Sequence, residues 1–205
     1  PFLMVYNKTL LEHSFSAFRD FNEITKTIIV YNKKHKKYLD KLNLKNTLKV
    51  KGGKTRQESI FRALKRIKKM NCKKVLIHDS ARPNLSKDLV NKIIYTLKKN
   101  HAVVPVIKIN DATKRTKENT IFKNIARNSL RFAQTPQGFT FKKIYEKHHK
   151  NIDTSFDDDS ALFTNNEEKI LKLIKEKAKS NLKNISKAEA EKLLKSAHAV
   201  SYTHL

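Results

Sequence analysis

The sequence predicts an α/β fold, a mainly parallel sheet with helices on both faces and an arm that protrudes from it. Three observations predict this. Short β-branched runs alternate with stretches of helical apolar spacing, the pattern of βαβ units crossed over right-handedly. The residues of unusual chemistry gather in loops that follow strands, where a parallel sheet binds its ligands. From Asp111 to Arg127 the chain is polar and has no helical period, which reads as an extended excursion.

The elements follow in order. Thr9 to Phe21 carries Leu10, Leu11, Phe15 and Phe18 at helical spacing. Thr27 to Tyr31 is a short apolar, β-branched run, read as a buried strand. A charged helix is expected at Lys33 to Leu42 and a strand at Thr47 to Val50. Gln57 to Met70 reads as a helix with Ile60, Phe61, Leu64 and Ile67 on one face, and Lys74 to His78 as the next strand. Ser86 caps a helix with Leu89, Ile93, Ile94 and Leu97 on its apolar face, and Ala102 to Ile109 is another strand. After the arm come a strand near Leu130 to Gln134, a compact turn at Thr135 to Phe139 and a helix at Thr140 to Lys150. A last strand and helix are expected beyond Lys169.

At 205 residues the chain suits one domain with an arm, and it has neither internal repeats nor a Pro- or Gly-rich linker. No apolar run approaches the roughly 18 residues of a membrane span, and no signal-peptide pattern opens the sequence. Cys72 stands alone, which excludes an intramolecular disulfide or a Cys-based zinc site and points to a reducing cytoplasm. The formal charge is +26. Such a field attracts nucleic acid, but it comes from 37 Lys against 8 Arg spread along the whole chain. Readers of base edges lean on Arg, so an anionic small substrate is the preferred reading.

Several segments carry chemistry. Lys51 to Ser59 joins a strand to a helix and holds Gly52 and Gly53, two of only three glycines. Absent side chains let backbone approach a ligand, and the helix N-terminus behind favours anions, although a tight turn alone would also use glycine. His78-Asp79-Ser80-Ala81-Arg82-Pro83 ends a strand; its Asp and Arg could hold hydroxyls and phosphate, or only brace their own loop. Asp157-Asp158-Asp159 reads as a metal cluster or as a helix N-cap. His148-His149 reads as solvated and His13 as a packed histidine.

Seven segments stand in register over about 150 residues: L-L-E-H-S from Leu10, G-G-x-x-R-x-x-S from Gly52, H-D-x-A-R-P from His78, D-x-x-K-R from Asp111, R-N-x-L from Arg127, T-P-Q from Thr135 and D-D-x-S-A from Asp157. Together they resemble the 2-C-methyl-D-erythritol 4-phosphate cytidylyltransferase family. The resemblance implies a Rossmann-like fold of nucleotidyltransferase type. It also implies transfer of a cytidylyl group from CTP to the phosphate of a polyol, with release of pyrophosphate and with Mg²⁺, whose ligands it leaves unassigned. Gly53 and Ser59 would help read the cytosine ring, Gly52 and Arg56 would shape that loop, and Ser80 would join the nucleotide site. Asp79 would bind the polyol hydroxyls, with Arg82 beside the substrate and Thr135 nearby. Arg127, on the arm, would reach the substrate phosphate in a neighbouring subunit, which implies a homodimer. Lys183 matches a family lysine near the phosphates.

Three positions depart from the family pattern. Ala112 stands where relatives have a Thr, the surroundings of Lys183 read Asn181-Leu182-Lys183-Asn184-Ile185, and Asp159 replaces a small residue. The resemblance further implies that residues 1–199 form the domain without its first strand and Gly-rich loop, roughly 25 residues that would precede Pro1 and grip the triphosphate. These 205 residues alone are therefore expected to be inactive. Residues 200–205 look like a translated sequencing adapter, hence a non-native tail. Ribitol 5-phosphate as acceptor, a bifunctional enzyme with a following cyclase, and a basic nucleic-acid-binding protein are the alternatives.

Overall fold

Alternate side chains along the central strands enter two different cores, and this places helices on both faces of one sheet. The computed structural model describes residues 1–152, 156–163 and, as backbone, 171–175. The central sheet contains β5 (Lys74–Ile77), β6 (Ala102–Lys108), β10 (Gln137–Thr140) and β11 (Leu171–Lys175) in the order β11-β6-β10-β5. Val75, Ile77, Ala102 and Phe139 pack on one face with Phe61 and Leu64 of α3 (Arg56–Ile67) and Ile144 of α5 (Phe141–Lys150). On the other face, Leu76 and Val103 meet Leu89 and Ile93 of α4 (Lys87–Thr96) and Leu97 just after it. The α/β, Rossmann-like class expected from the sequence therefore holds.

The sheet is mixed. β6 and β11 are parallel, whereas β10 runs against both β5 and β6, and β9 (Arg131–Ala133) also runs against β6. Antiparallel return needs no crossover helix, and the chain comes back from the arm straight alongside β6. Thr135 to Phe139, expected as a compact turn, instead feeds the buried strand β10. Gly138 explains why this strand carries a glycine: a Cβ there would lie 2.6 Å from Leu97 Cδ1 and 2.7 Å from Ile93 Cγ2. β9 and β10 are in effect one antiparallel partner of β6, interrupted at Gln134 to Pro136. Gln134 N still donates to the Pro105 carbonyl at 2.8 Å, but proline has no N–H to continue the ladder.

A second, two-stranded parallel sheet pairs β3 (Thr27–Tyr31) with β4 (Thr47–Lys51). Its small core joins Leu11 of α1 (Leu10–Arg19), Ile29, Leu39 and Leu44. The helix expected at Lys33 to Leu42 is a 3-10 turn over Lys33–His35 followed by the four-residue α2 (Lys36–Leu39). Helix α1 opens with a capping box, Thr9 and Glu12 each satisfying the other's backbone N–H. Ahead of it lies a hairpin of β1 (Met4–Val5) and β2 (Lys8–Thr9), turned by Tyr6 and Asn7 at positive φ.

The arm is a β-ribbon of β7 (Thr113–Lys117) and β8 (Thr120–Ile125). It is exposed along nearly its whole length and presents Ile121 and Phe122 to solvent at 60% and 58% exposure. Among the described residues no helix is long and apolar enough to cross a membrane.

Candidate functional site

The carboxyl end of β5 and the interruption between β9 and β10 meet, because Gln137 pairs with Ile77, the last residue of β5, and Arg56, at the end of the loop after β4, comes within 3.9 Å of Asp79. Helix α1 braces this edge: Ser14 Oγ donates to the Ser80 carbonyl at 2.9 Å.

The loop after β5 is held by hydrogen bonds that run in one consistent direction. Asp79 N donates to Thr135 Oγ1 at 3.2 Å, and the Thr135 hydroxyl faces His78 Nδ1 at 3.0 Å. His78 Nε2 lies 3.1 Å from the Arg82 carbonyl, which can only accept. Burial pushes the His78 imidazole down to about 4, against the opposing influence of the Asp79 charge. The ring is thus neutral at pH 7, with its proton on Nε2 and Nδ1 left to accept from Thr135. Phe18 closes over it edge-on at 5.2 Å.

Asp79 stands between two guanidinium groups. Arg82 Nε donates to its Oδ2 at 3.1 Å, and Arg56 Nη2 lies 3.9 Å from its Oδ1. Arg82 also donates to Gln134 Oε1 at 2.6 Å, tying the loop to the end of β9. The bracing role considered from sequence is thus present, yet Asp79 and Arg82 both remain open to solvent, at 36% and 47% side-chain exposure. Ser80 is buried, and its hydroxyl has no hydrogen-bond partner among the described residues.

The loop after β4 is equally constrained. Gly52 N donates to the Tyr31 carbonyl at 2.8 Å and Gly53 N to Ser59 Oγ at 2.9 Å. Ser59 passes its own proton to the Thr55 carbonyl at 2.8 Å. Neither glycine has positive φ, so left-handed backbone is not what requires them. Space is the reason at Gly53, where a Cβ would sit 2.3 Å from the Glu58 carboxyl carbon. That carboxylate cannot simply swing away: it accepts from Lys54 N at 2.6 Å and from Arg62 at 2.6 Å.

Arg56 is the first residue of α3 and links the two loops to a third segment. Its Nη2 lies 2.7 Å from Oδ2 of Asp159, a carboxylate 1% exposed, whose Oδ1 is 2.9 Å from Nε2 of His148. Burial opposes the Asp159 charge, but the His148 hydrogen bond and the Arg56 charge outweigh it and hold the carboxyl below its usual range. Burial likewise works against the Arg56 charge, and Asp159 above all restores it.

One expectation is corrected here: His148 is not solvated but 1% exposed, stacked on Phe61 at 6.2 Å. Of the two readings of Asp157 to Asp159 the cap is present: Asp158 Oδ1 accepts from Ala161 N at 3.1 Å and Ser160 Oγ at 2.6 Å, while Asp159 turns inward. Among the described residues no three His, Cys, Asp or Glu side chains are grouped to hold a metal. His13 is satisfied, its Nε2 2.8 Å from the Val5 carbonyl.

The structure thus brings Arg56, Asp79, Arg82 and Thr135 together, with Ser80 on the same loop and Gly52, Gly53 and Ser59 in the loop that leads into Arg56. Arg127 lies elsewhere, at the foot of the arm, donating to the Asn110 carbonyl. Lys183, the 181–185 segment and the 200–205 tail lie outside the described residues. Sequence reasoning missed His78, Gln134 and the Asp159–His148 pair. His148 had a signal, since it lies one helical turn after Ile144 on the face that α5 buries.

One edge of a sheet therefore offers a helix N-terminus, two arginines and a carboxylate open to solvent. That is a set suited to an anionic, hydroxylated ligand.

The chain has known relatives. The family model for IspD, 2-C-methyl-D-erythritol 4-phosphate cytidylyltransferase, matches residues 1–191. The chain is similar to the bifunctional enzyme IspD/IspF of Pelagibacter ubique, 42% identical over 181 residues, or 88% of this chain and 48% of that protein. It is also similar to the 2-C-methyl-D-erythritol 4-phosphate cytidylyltransferase of Clostridioides difficile, 34% identical over 158 residues, or 73% of this chain and 66% of that one. The chain spans about half the length of the first relative and just under two thirds of the second. Among solved structures, 4-diphosphocytidyl-2C-methyl-D-erythritol synthase from Anaerococcus prevotii matches with a TM-score of 0.78 at 28% identity, covering 98% of this chain and 89% of that one. With a family match that takes in all three loops of the site, this chain belongs to the 2-C-methyl-D-erythritol 4-phosphate cytidylyltransferase family.

Proposed function

We propose that the protein carrying this chain transfers a cytidylyl group from CTP to 2-C-methyl-D-erythritol 4-phosphate, releasing pyrophosphate, as a cytoplasmic homodimer in isoprenoid-precursor synthesis. The observation that carries the reading is Asp79, a carboxylate open to solvent between Arg56 and Arg82 at the edge of the sheet. In such a site the carboxylate accepts from acceptor hydroxyls and the guanidinium groups neutralise phosphate. An acceptor phosphate oxygen attacks the α-phosphorus of CTP; the new P–O bond forms as the bond to the β-phosphate oxygen breaks, and pyrophosphate leaves. Little covalent work falls to the protein, which holds the two substrates in line and offsets negative charge.

The remaining roles fit this reading. Gly53 and Ser59 contribute to cytosine recognition on a loop that Gly52 and Arg56 shape, and Ser80 lines the nucleotide side. Mg²⁺ bound with the triphosphate would supply charge neutralisation there. The exposed Ile121 and Phe122 give the arm an apolar surface for a second subunit, whose acceptor phosphate Arg127 would reach. A bifunctional protein with a cyclase domain is a second reading, favoured by the Pelagibacter relative being bifunctional.

The test is pyrophosphate release by the full-length protein with CTP and either erythritol or ribitol phosphate. Turnover with the methylerythritol phosphate, abolished in Asp79→Ala with the melting temperature retained, is expected. A preference for ribitol 5-phosphate would overturn the acceptor. Salt-sensitive DNA binding without CTP turnover would overturn the enzyme.

A further inference from the structure

Asp79 needs a free face to hold hydroxyls, yet a mobile arginine beside it would close on that carboxylate. Arg56 lies 3.9 Å from Asp79 Oδ1 but only 2.7 Å from Asp159 Oδ2. The Arg56 guanidinium thus has two carboxylates in reach and is drawn to the buried one. Asp159 is 1% exposed, and its other oxygen, Oδ1, is held by His148 at 2.9 Å. His148 is itself locked in the core, 1% exposed and stacked on Phe61 at 6.2 Å. A paired, buried carboxylate beside a guanidinium has lost most of its competing water, so it outbids an exposed carboxylate for the same cation.

We propose that Asp159, oriented by His148, is a positioning residue. It holds Arg56 back from Asp79 and so keeps the Asp79 carboxylate available to acceptor hydroxyls. The inference rests on the function proposed above, where Asp79 grips the acceptor. Its structural half is independent of that reading. Replacing Asp159 by its neutral isostere leaves Asp79 as the carboxylate nearest to Arg56, and Arg56 then swings the remaining distance onto it. Acceptor binding suffers, while the loop that carries Gly53 and Ser59 keeps its own hydrogen bonds.

The experiment pairs kinetics with crystallography on the full-length protein. Asp159→Asn is expected to raise KM for the polyol phosphate about fivefold or more, roughly 1 kcal/mol, with KM for CTP changed less than twofold. Because Asp159 acts through Arg56, the same substitution made in an Arg56→Gln background is expected to change the acceptor KM by less than twofold. A merely structural role predicts the same loss in both backgrounds and in both substrates, and that result would overturn the proposal. In the crystal structure of Asp159→Asn, Arg56 is expected in direct contact with Asp79. Finding Arg56 still at its present distance from Asp79 would also overturn it. If the unsubstituted protein shows no CTP turnover at all, the functional reading fails instead, and the position of Arg56 in that crystal still decides the positioning claim.

Discussion

The neutral His78 makes the loop after β5 sensitive to acid, and the size of the effect follows from the structure. Its imidazole lies at about 4 in the folded chain, against 6.5 for an unburied histidine. The unfolded chain therefore binds the extra proton first. Between these two values it carries more protons than the folded chain, so stability rises with pH across that window. The contribution is complete above 6.5 and drains away as pH falls toward 4. From pH 7.5 to pH 5 the full shift would remove about 2 kcal/mol, and discounting for the residual exposure of the ring leaves about 1 kcal/mol. The comparison is urea unfolding of wild type and His78→Gln at pH 7.5, 6 and 5. Titrations of other groups are common to both chains and cancel in the difference. The wild type is expected to lose about 1 kcal/mol more than the variant over this range. Parallel pH profiles would refute the argument, because His78 would then titrate alike folded and unfolded.

Two further outcomes follow from the glycines. Gly138→Ala forces a methyl group to within 2.6 Å of Leu97 and 2.7 Å of Ile93 in the core between β10 and α4, and is expected to cost about 1–3 kcal/mol in urea unfolding; an unchanged midpoint would mean that α4 yields freely. Gly53→Ala drives a methyl into the Glu58 carboxylate and disturbs the Gly53 N to Ser59 contact. It is expected to raise KM for CTP at least about threefold, or roughly 0.7 kcal/mol, with the acceptor KM little changed, as read in full-length enzyme assays.

How far the sequence could be read depended on whether a feature was local. Helices α1, α3, α4 and α5 announce themselves because their apolar spacing is a property of one segment. Asp79, Arg82 and the Gly52-Gly53 loop were legible as strand-end residues in rows of unusual chemistry. The antiparallel strand β10 was not, since Thr-Pro-Gln-Gly carries the composition of a turn and only pairing on both sides makes it a strand. Asp159 escaped for a related reason. Its neighbour Asp158 does the capping that the sequence suggests, and nothing local says that the next carboxylate turns inward to meet Arg56, more than a hundred residues earlier. His78 looked like the last residue of a strand, and its neutrality comes from burial, which no single segment of the sequence shows.

The interruption between β9 and β10 also gives the molecule a mechanical connection. The strand that leaves the arm is clamped to β6 by the pairs Lys108 with Arg131 and Val106 with Ala133. Immediately beyond the clamp come Gln134 and Thr135, whose side chains grip Arg82, the His78 ring and the Asp79 N–H. The ribbon and the loop that holds Asp79 are therefore joined through one short stretch of backbone, with β6 as the fixed point between them.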